Sequence, residues 1–236
     1  MVIEAPPFTP NRVMVKSPPT PTQIPIDTWV QGTWDEYLVL SQDPQYKGFK
    51  CYYDQGYLRI EMAALGSAHG QDNTIISTAI VLYASLHQIR LKGLTNTSLQ
   101  KTGVQETQPD LTFYIGQTFS FPPRTNTPIN LEEVGVPNLV VEIGASSFAD
   151  DLGRKRLLYE QLQVQEYWVV NVETSEILAF AVADGGSRRI SESQVLAGLE
   201  MGVVEEALKR SQTEDDGAIT RWLISSWSGL GDGTTR

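Results

Sequence analysis

The period of the apolar positions changes along the chain, and each change marks an element. Ile75, Ile76, Ala79, Ile80, Leu82, Tyr83, Leu86 and Ile89 recur at three- and four-residue steps, which predicts an amphipathic helix over 68–91 with a wide face to pack on a sheet. Ahead of it, two β-rich runs within 49–62 flank Asp54-Gln55-Gly56, the pattern of a hairpin whose glycine takes a positive φ. Earlier still, Thr33 and Glu36 are spaced as a capping box before Tyr37, Leu38 and Leu40, so a short helix starts there. The second half alternates strand and helix. A strand over 111–115, a proline-rich loop over 117–137 and a nearly continuous apolar strand over 139–143 precede a helix over 148–163. Strands over 167–170 and 177–182 follow. Uninterrupted apolar strands belong to a sheet covered on both faces, and the alternation is that of an α/β chain.

The ends differ from this middle. Residues 1–26 hold prolines at 6, 7, 10, 18, 19, 21 and 25 and predict an extended tail with no ladder of its own. Residues 27–190 form the expected domain. Residues 191–236 read as an acidic helical extension, with helices over 200–210 and 218–227.

A chain of 236 residues that is 41% hydrophobic buries one substantial core. A single cysteine, Cys51, and two histidines exclude a disulfide framework and a cysteine-built metal site. They suit a reducing cytoplasm, and any metal chemistry must be carboxylate chemistry. No apolar run reaches the length of a membrane span. The net charge of −10 opposes the basic footprint of a protein that grips nucleic acid through its phosphates.

Candidate chemistry lies where acids interrupt apolar strands. Glu142 sits among Val140, Val141 and Ile143, where an ionised carboxylate needs a partner; a divalent cation and a buried lysine or arginine are equal alternatives. Asp110 follows Pro109 at a strand start, a place also common for a turn aspartate. Asp151, Lys155 and Tyr159 are spaced four and four, so one helix face carries carboxylate, ammonium and phenol. Taken alone, that is a surface ion pair. A helix folding back over the strand that ends at Gly144 brings Lys155 towards Glu142.

Pro109-Asp110, Glu142 and Asp151-x3-Lys155-x3-Tyr159-x6-Glu166-Tyr167-Trp168 resemble the signature of the Uma-two family, endonucleases of the restriction-endonuclease-like PD-(D/E)XK superfamily. The Asp54-Gln55-Gly56 hairpin, Glu61 and His69 fall where that family keeps similar residues. The resemblance implies an α/β (α+β) restriction-endonuclease-like core, a central mixed sheet flanked by helices. It implies Asp110 and Glu142 as ligands of Mg2+ or Mn2+, and Lys155 as the catalytic lysine, moved to the helix because position 144 is glycine. Glu61 would add a carboxylate, His69 would stand at the site rim, and Asp151 and Tyr159 would orient Lys155. The substrate would be DNA, gripped by a local strip of Lys101, Arg154 and Arg156 rather than by the overall field. A homodimer fits the need to cut two strands. The alternatives are a catalytically silent binding or regulatory module of the same fold, and glycoside cleavage by an acid/base pair.

Overall fold

Two six-stranded sheets carry the molecule. The computed structural model describes residues 24–144 and 147–228; most of the expected 1–26 tail lies outside them. In chain order the elements are β1 (Val30–Gln31), α1 (Trp34–Ser41), β2 (Phe49–Asp54), β3 (Tyr57–Met62), α2 (Ser67–Leu86), β4 (Leu91–Thr95), β5 (Leu99–Lys101) and β6 (Gln105–Thr107). They continue with β7 (Leu111–Ile115), β8 (Ile129–Asn130), α3 (Leu131–Val134), β9 (Leu139–Gly144), α4 (Phe148–Leu152) and α5 (Arg154–Leu162). The chain then forms β10 (Glu166–Asn171), β11 (Glu176–Ala183), β12 (Gly186–Ile190), α6 (Met201–Arg210) and α7 (Asp216–Ser228). One sheet has the order β1-β3-β2-β6-β5-β8 and the other β12-β11-β10-β9-β7-β4. In the second sheet β9 and β10 run parallel, joined across α4 and α5, while β7 pairs with β9 antiparallel.

The local signals at Thr33 and at the hairpin hold. Thr33 and Glu36 form a complete capping box at the start of α1. The β2–β3 turn places Gln55 at φ 45° and Gly56 at φ 91°, two successive left-handed residues as a tight hairpin requires. Other elements differ from expectation. The long helix stops at Leu86 rather than at 91, because Gln88 enters the left-handed region at φ 54° and the chain turns into β4. The single helix expected over 148–163 is two, broken at Gly153, whose ψ of −106° is not helical. The loop over 117–137 contains the short β8 and α3.

Both faces of the second sheet are covered. On one, Leu139, Val141 and Ile143 of β9 join a core with α2, α6 and α7; on the other, Val140 packs with Leu158, Tyr159 and Leu162 of α5. Strand alternation therefore turns Glu142, two residues after Val140, towards α5. The C-terminal helices are tied in by buried Glu166, which accepts hydrogen bonds from Trp168 Nε1 (3.0 Å), Ser193 Oγ (2.9 Å) and the Val195 amide (3.0 Å). Among the described residues no helix is long and apolar enough to cross a membrane.

Candidate active site

Three pieces of backbone bring the polar side chains together. Leu111 of β7 stands opposite Val141 of β9, so Asp110, just before β7, lies beside the end of β9, and its Oδ2 accepts the Ile143 amide at 2.8 Å. The β2–β3 hairpin supplies the second wall. Its register places Lys50 opposite Glu61 and Tyr52 opposite Arg59, and cross-strand partners share a face. The alternate residues Tyr53, Leu58 and Ile60 pack with Tyr37 and Leu40 of α1, which leaves the polar face for the site. The third piece is the α4–α5 pair, carrying Asp151, Lys155 and Tyr159.

The resulting network is dense. Lys50 Nζ lies 2.6 Å from Asp110 Oδ1 and 3.9 Å from Glu142 Oε2. His69, in the first turn of α2, places Nε2 3.2 Å from Asp110 Oδ1. Lys155 Nζ pairs with Glu61 Oε2 at 2.8 Å and Asp151 Oδ1 at 2.9 Å, and sits 4.6 Å from the centre of the Tyr52 ring. Tyr159 donates to Glu142 Oε1 at 2.7 Å and lies 2.6 Å from Thr107 Oγ1. Arg59 Nε donates to Glu61 Oε2 at 3.0 Å, and Ser147 Oγ to Asp151 Oδ2 at 2.7 Å.

Burial and neighbouring charge divide the acids into two classes. Burial works against ionisation of Asp110, but hydrogen bonds and charge from His69 and Lys50 hold its carboxyl well below the usual range. Glu61 is likewise held low by Lys155 and Arg59 despite burial. Glu142 goes the other way: burial pushes it up to about 8 against the pull of Lys155 and Lys50. Burial also raises Asp151, again against Lys155. Burial disfavours the Lys155 ammonium, yet Glu142, Asp151 and Glu61 outweigh it and drive its pKa well above the ordinary value. Two acids with opposed shifts, side by side, are the usual mark of a functional site.

Asp110, Glu142, Glu61, His69, Asp151, Lys155 and Tyr159 thus belong to one connected network. Two details differ from the expected roles. Lys155, 1% exposed, has its ion pairs with Glu61 and Asp151, while the lysine within ion-pair distance of Glu142 is Lys50. Tyr159 donates its hydroxyl to Glu142 rather than orienting Lys155. The expected basic strip is placed elsewhere: Arg154 faces Asp54 at 3.5 Å and the rings of Trp29 and Tyr57, Arg156 faces Glu160 and Phe180, and Lys101 ends β5. None of the three lines the cleft described below. Sequence reasoning missed Lys50, Arg59 and Thr107. The alternation of the hairpin was the available signal for the first two, since it aligns Lys50, Tyr52, Arg59 and Glu61 on one face.

A cleft of about 860 Å³ opens over this network, with Lys50, Glu61, His69 and Asp110 in its lining. Among the described residues no three His, Cys, Asp or Glu side chains form a cage that could hold a metal ion. Magnesium needs no such cage: it takes one or two carboxylates and keeps several waters. Asp110 and Glu142 offer that hard oxygen pair, and both already approach one cation, the Lys50 ammonium. The donor set fits a hard divalent ion. Gly144, where the superfamily's usual lysine would stand, is closed by packing: a Cβ there would meet the Asp151 carboxylate and come within 3.1 Å of the Phe148 Cα.

Comparison with known proteins bears on the family and the fold. The model of the Uma2 family, described as "Putative restriction endonuclease", matches residues 34–215. No curated protein is similar to the chain. Among solved structures, a protein of Anabaena variabilis described as a putative nuclease belonging to DUF820 has a similar fold. Its TM-score is 0.53 at 15% identity, over 75% of this chain and 98% of the other. The fold of a restriction-endonuclease-like core is shared, with the hairpin sheet as a second layer of strands.

Proposed function

The chain belongs to the Uma2 family of restriction-endonuclease-like proteins, and from that premise we propose that it is a metal-dependent endonuclease that hydrolyses phosphodiester bonds of DNA. One observation carries the reading: Asp110, just before β7, and Glu142, in β9, approach the same ammonium beneath an open cleft, the layout of an acid pair built to share a cation.

On this reading Asp110 and Glu142 hold Mg2+ or Mn2+. The bound ion supplies charge that lowers the pKa of water and offsets the charge of the reacting phosphate. The protein's own groups do the rest. Asp110 is ionised in advance and fixed by the Ile143 amide and His69. Tyr159 holds Glu142 Oε1, leaving Oε2 on the side of Lys50. Lys155 keeps Glu61 and Asp151 in place and supplies positive potential behind the acids, acting through position and charge rather than as a base, since its carboxylate neighbours oppose proton loss. Arg154 and Arg156 reach a phosphate backbone only by giving up Asp54 and Glu160, so DNA binding is weak until the ion is present.

Plasmid nicking with Mg2+ or Mn2+ tests the reading, comparing wild type with Asp110→Ala and Lys155→Ala. Loss of nicking in variants that remain folded supports it, and activity that survives in both sinks it. The buried Lys155 and the charge of −10 favour one second reading, a nuclease fold that binds DNA without turnover; retention of DNA in a gel shift with no nicking at any metal concentration would select it. Sedimentation with and without DNA tests the homodimer that cutting both strands calls for.

A further inference from the structure

The cation closest to both proposed metal ligands belongs to the chain itself. Lys50 Nζ stands 2.6 Å from Asp110 Oδ1 and 3.9 Å from Glu142 Oε2, between a carboxylate just before β7 and one within β9. An ion held by both acids would occupy the same small region, and an ammonium and a dication a few ångströms apart repel strongly in a partly dry site. Lys155, on the same side of the hairpin, does not occupy this position, because its ion pairs are with Glu61 and Asp151. Lys50 differs in a second way: it lines the cleft, and a lysine has a long flexible stem on which its ammonium can move out towards solvent. Without that ammonium, two acids buried side by side would keep the Tyr159 hydroxyl, the Ile143 amide and His69, with Lys155 more distant, but no cation between them.

We propose that Lys50 is a built-in competitor for the divalent-cation site, neutralising the Asp110–Glu142 pair in the metal-free protein and vacating that position when an ion binds. Lys50 then sets the metal concentration at which the site loads. This inference rests on Asp110 and Glu142 being the metal ligands, and it adds a role for a side chain outside the family signature described above.

Mn2+ titration calorimetry on the full chain at fixed pH and ionic strength provides the test, with wild type, Lys50→Met, Lys50→Gln and Asp110→Asn compared. Removing the competing charge is expected to tighten Mn2+ binding about tenfold or more in Lys50→Met. Lys50→Gln, which retains a hydrogen-bond donor for Asp110 and covers the case in which Lys50→Met fails to fold, is expected to tighten it similarly. Melting curves supply a second readout: both variants should melt lower than wild type in EDTA, yet gain more from Mn2+, as tighter binding to the folded state demands. Mn2+ affinity that is unchanged or weaker in the folded Lys50 variants, with wild-type binding still abolished by Asp110→Asn, overturns the role of Lys50 alone. Absence of Asp110-dependent Mn2+ binding in every protein overturns both the competitor and the metal reading beneath it.

Discussion

The Tyr159 hydroxyl, on α5, donates to Glu142 Oε1 at 2.7 Å and thereby fixes an acid that burial keeps from ionising easily. The same hydroxyl lies 2.6 Å from Thr107 on the hairpin sheet, so a single phenol joins β9, α5 and β6. Tyr159→Phe removes a buried donor and leaves two acceptor or donor groups without a partner. A loss of about 1–3 kcal/mol is expected, read by urea unfolding, together with slower nicking at unchanged DNA affinity. An unchanged unfolding midpoint would mean that water replaces the phenol at no cost.

Lys155 is the second test of the network. Lys155→Met leaves Glu61 and Asp151 buried without their shared cation, and stripping one partner from a buried ion pair typically costs about 3–5 kcal/mol. The variant should unfold at markedly lower urea or fail to accumulate as folded protein. Lys155→Arg is not expected to restore it, since the longer planar head must fit where Tyr52, Glu61 and Asp151 enclose a compact ammonium.

Asp72, on α2, gives a pH dependence outside the ligand pair. Burial raises its carboxyl to about 6, against the pull of His69, and its Oδ2 has no hydrogen-bond partner. The folded state thus binds a proton that the unfolded chain has released, and this contribution is fully present below about pH 4 and lost as the pH rises through 6. Asp72→Asn should remove that part of the decline between pH 4 and 7 in urea midpoints measured in EDTA. Identical slopes in variant and wild type would locate the decline in other acids.

Glu166 governs the attachment of α6 and α7. Glu166→Ala strands the Trp168, Ser193 and Val195 donors that it now accepts, each worth about 1–3 kcal/mol if left buried and unpaired. Limited proteolysis should then cut near residues 191–200 before the rest of the domain is attacked. Uniform resistance across the chain would show that the apolar contacts of α6 and α7 hold the segment unaided.

What could be read from the sequence was what short-range chemistry encodes. The capping box at Thr33 and the hairpin turn at Gly56 depend on residues within three positions of each other. The continuous apolar run of β9 announced a strand covered on both faces and made Glu142 conspicuous within it. The α2 boundary was missed because Ile89 keeps the helical period after Gln88 has already turned the backbone. The break at Gly153 hid inside an Asp-Lys-Tyr spacing that reads as one helix. Lys50 was invisible for a different reason: its partner Asp110 lies 60 residues away, and a lysine in a strand looks solvated until the register of the hairpin turns its face inward. The neighbours of the basic strip were hidden on the same ground, since charges close in sequence at 154 and 156 project to Asp54 and Glu160 respectively.

Gly144 narrows the ways in which this site can change. With the end of β9 pressed against Phe148 and Asp151, a side chain at position 144 must displace the Asp151 carboxylate that seats Lys155 and needs Phe148 to give by a few tenths of an ångström. A side chain at position 144 is therefore coupled through Asp151 to the seating of Lys155. A chimera that transplants the strand motif without the following helix, or the helix without Gly144, inherits neither arrangement, so grafts of this site onto related scaffolds should treat residues 139–162 as one indivisible unit.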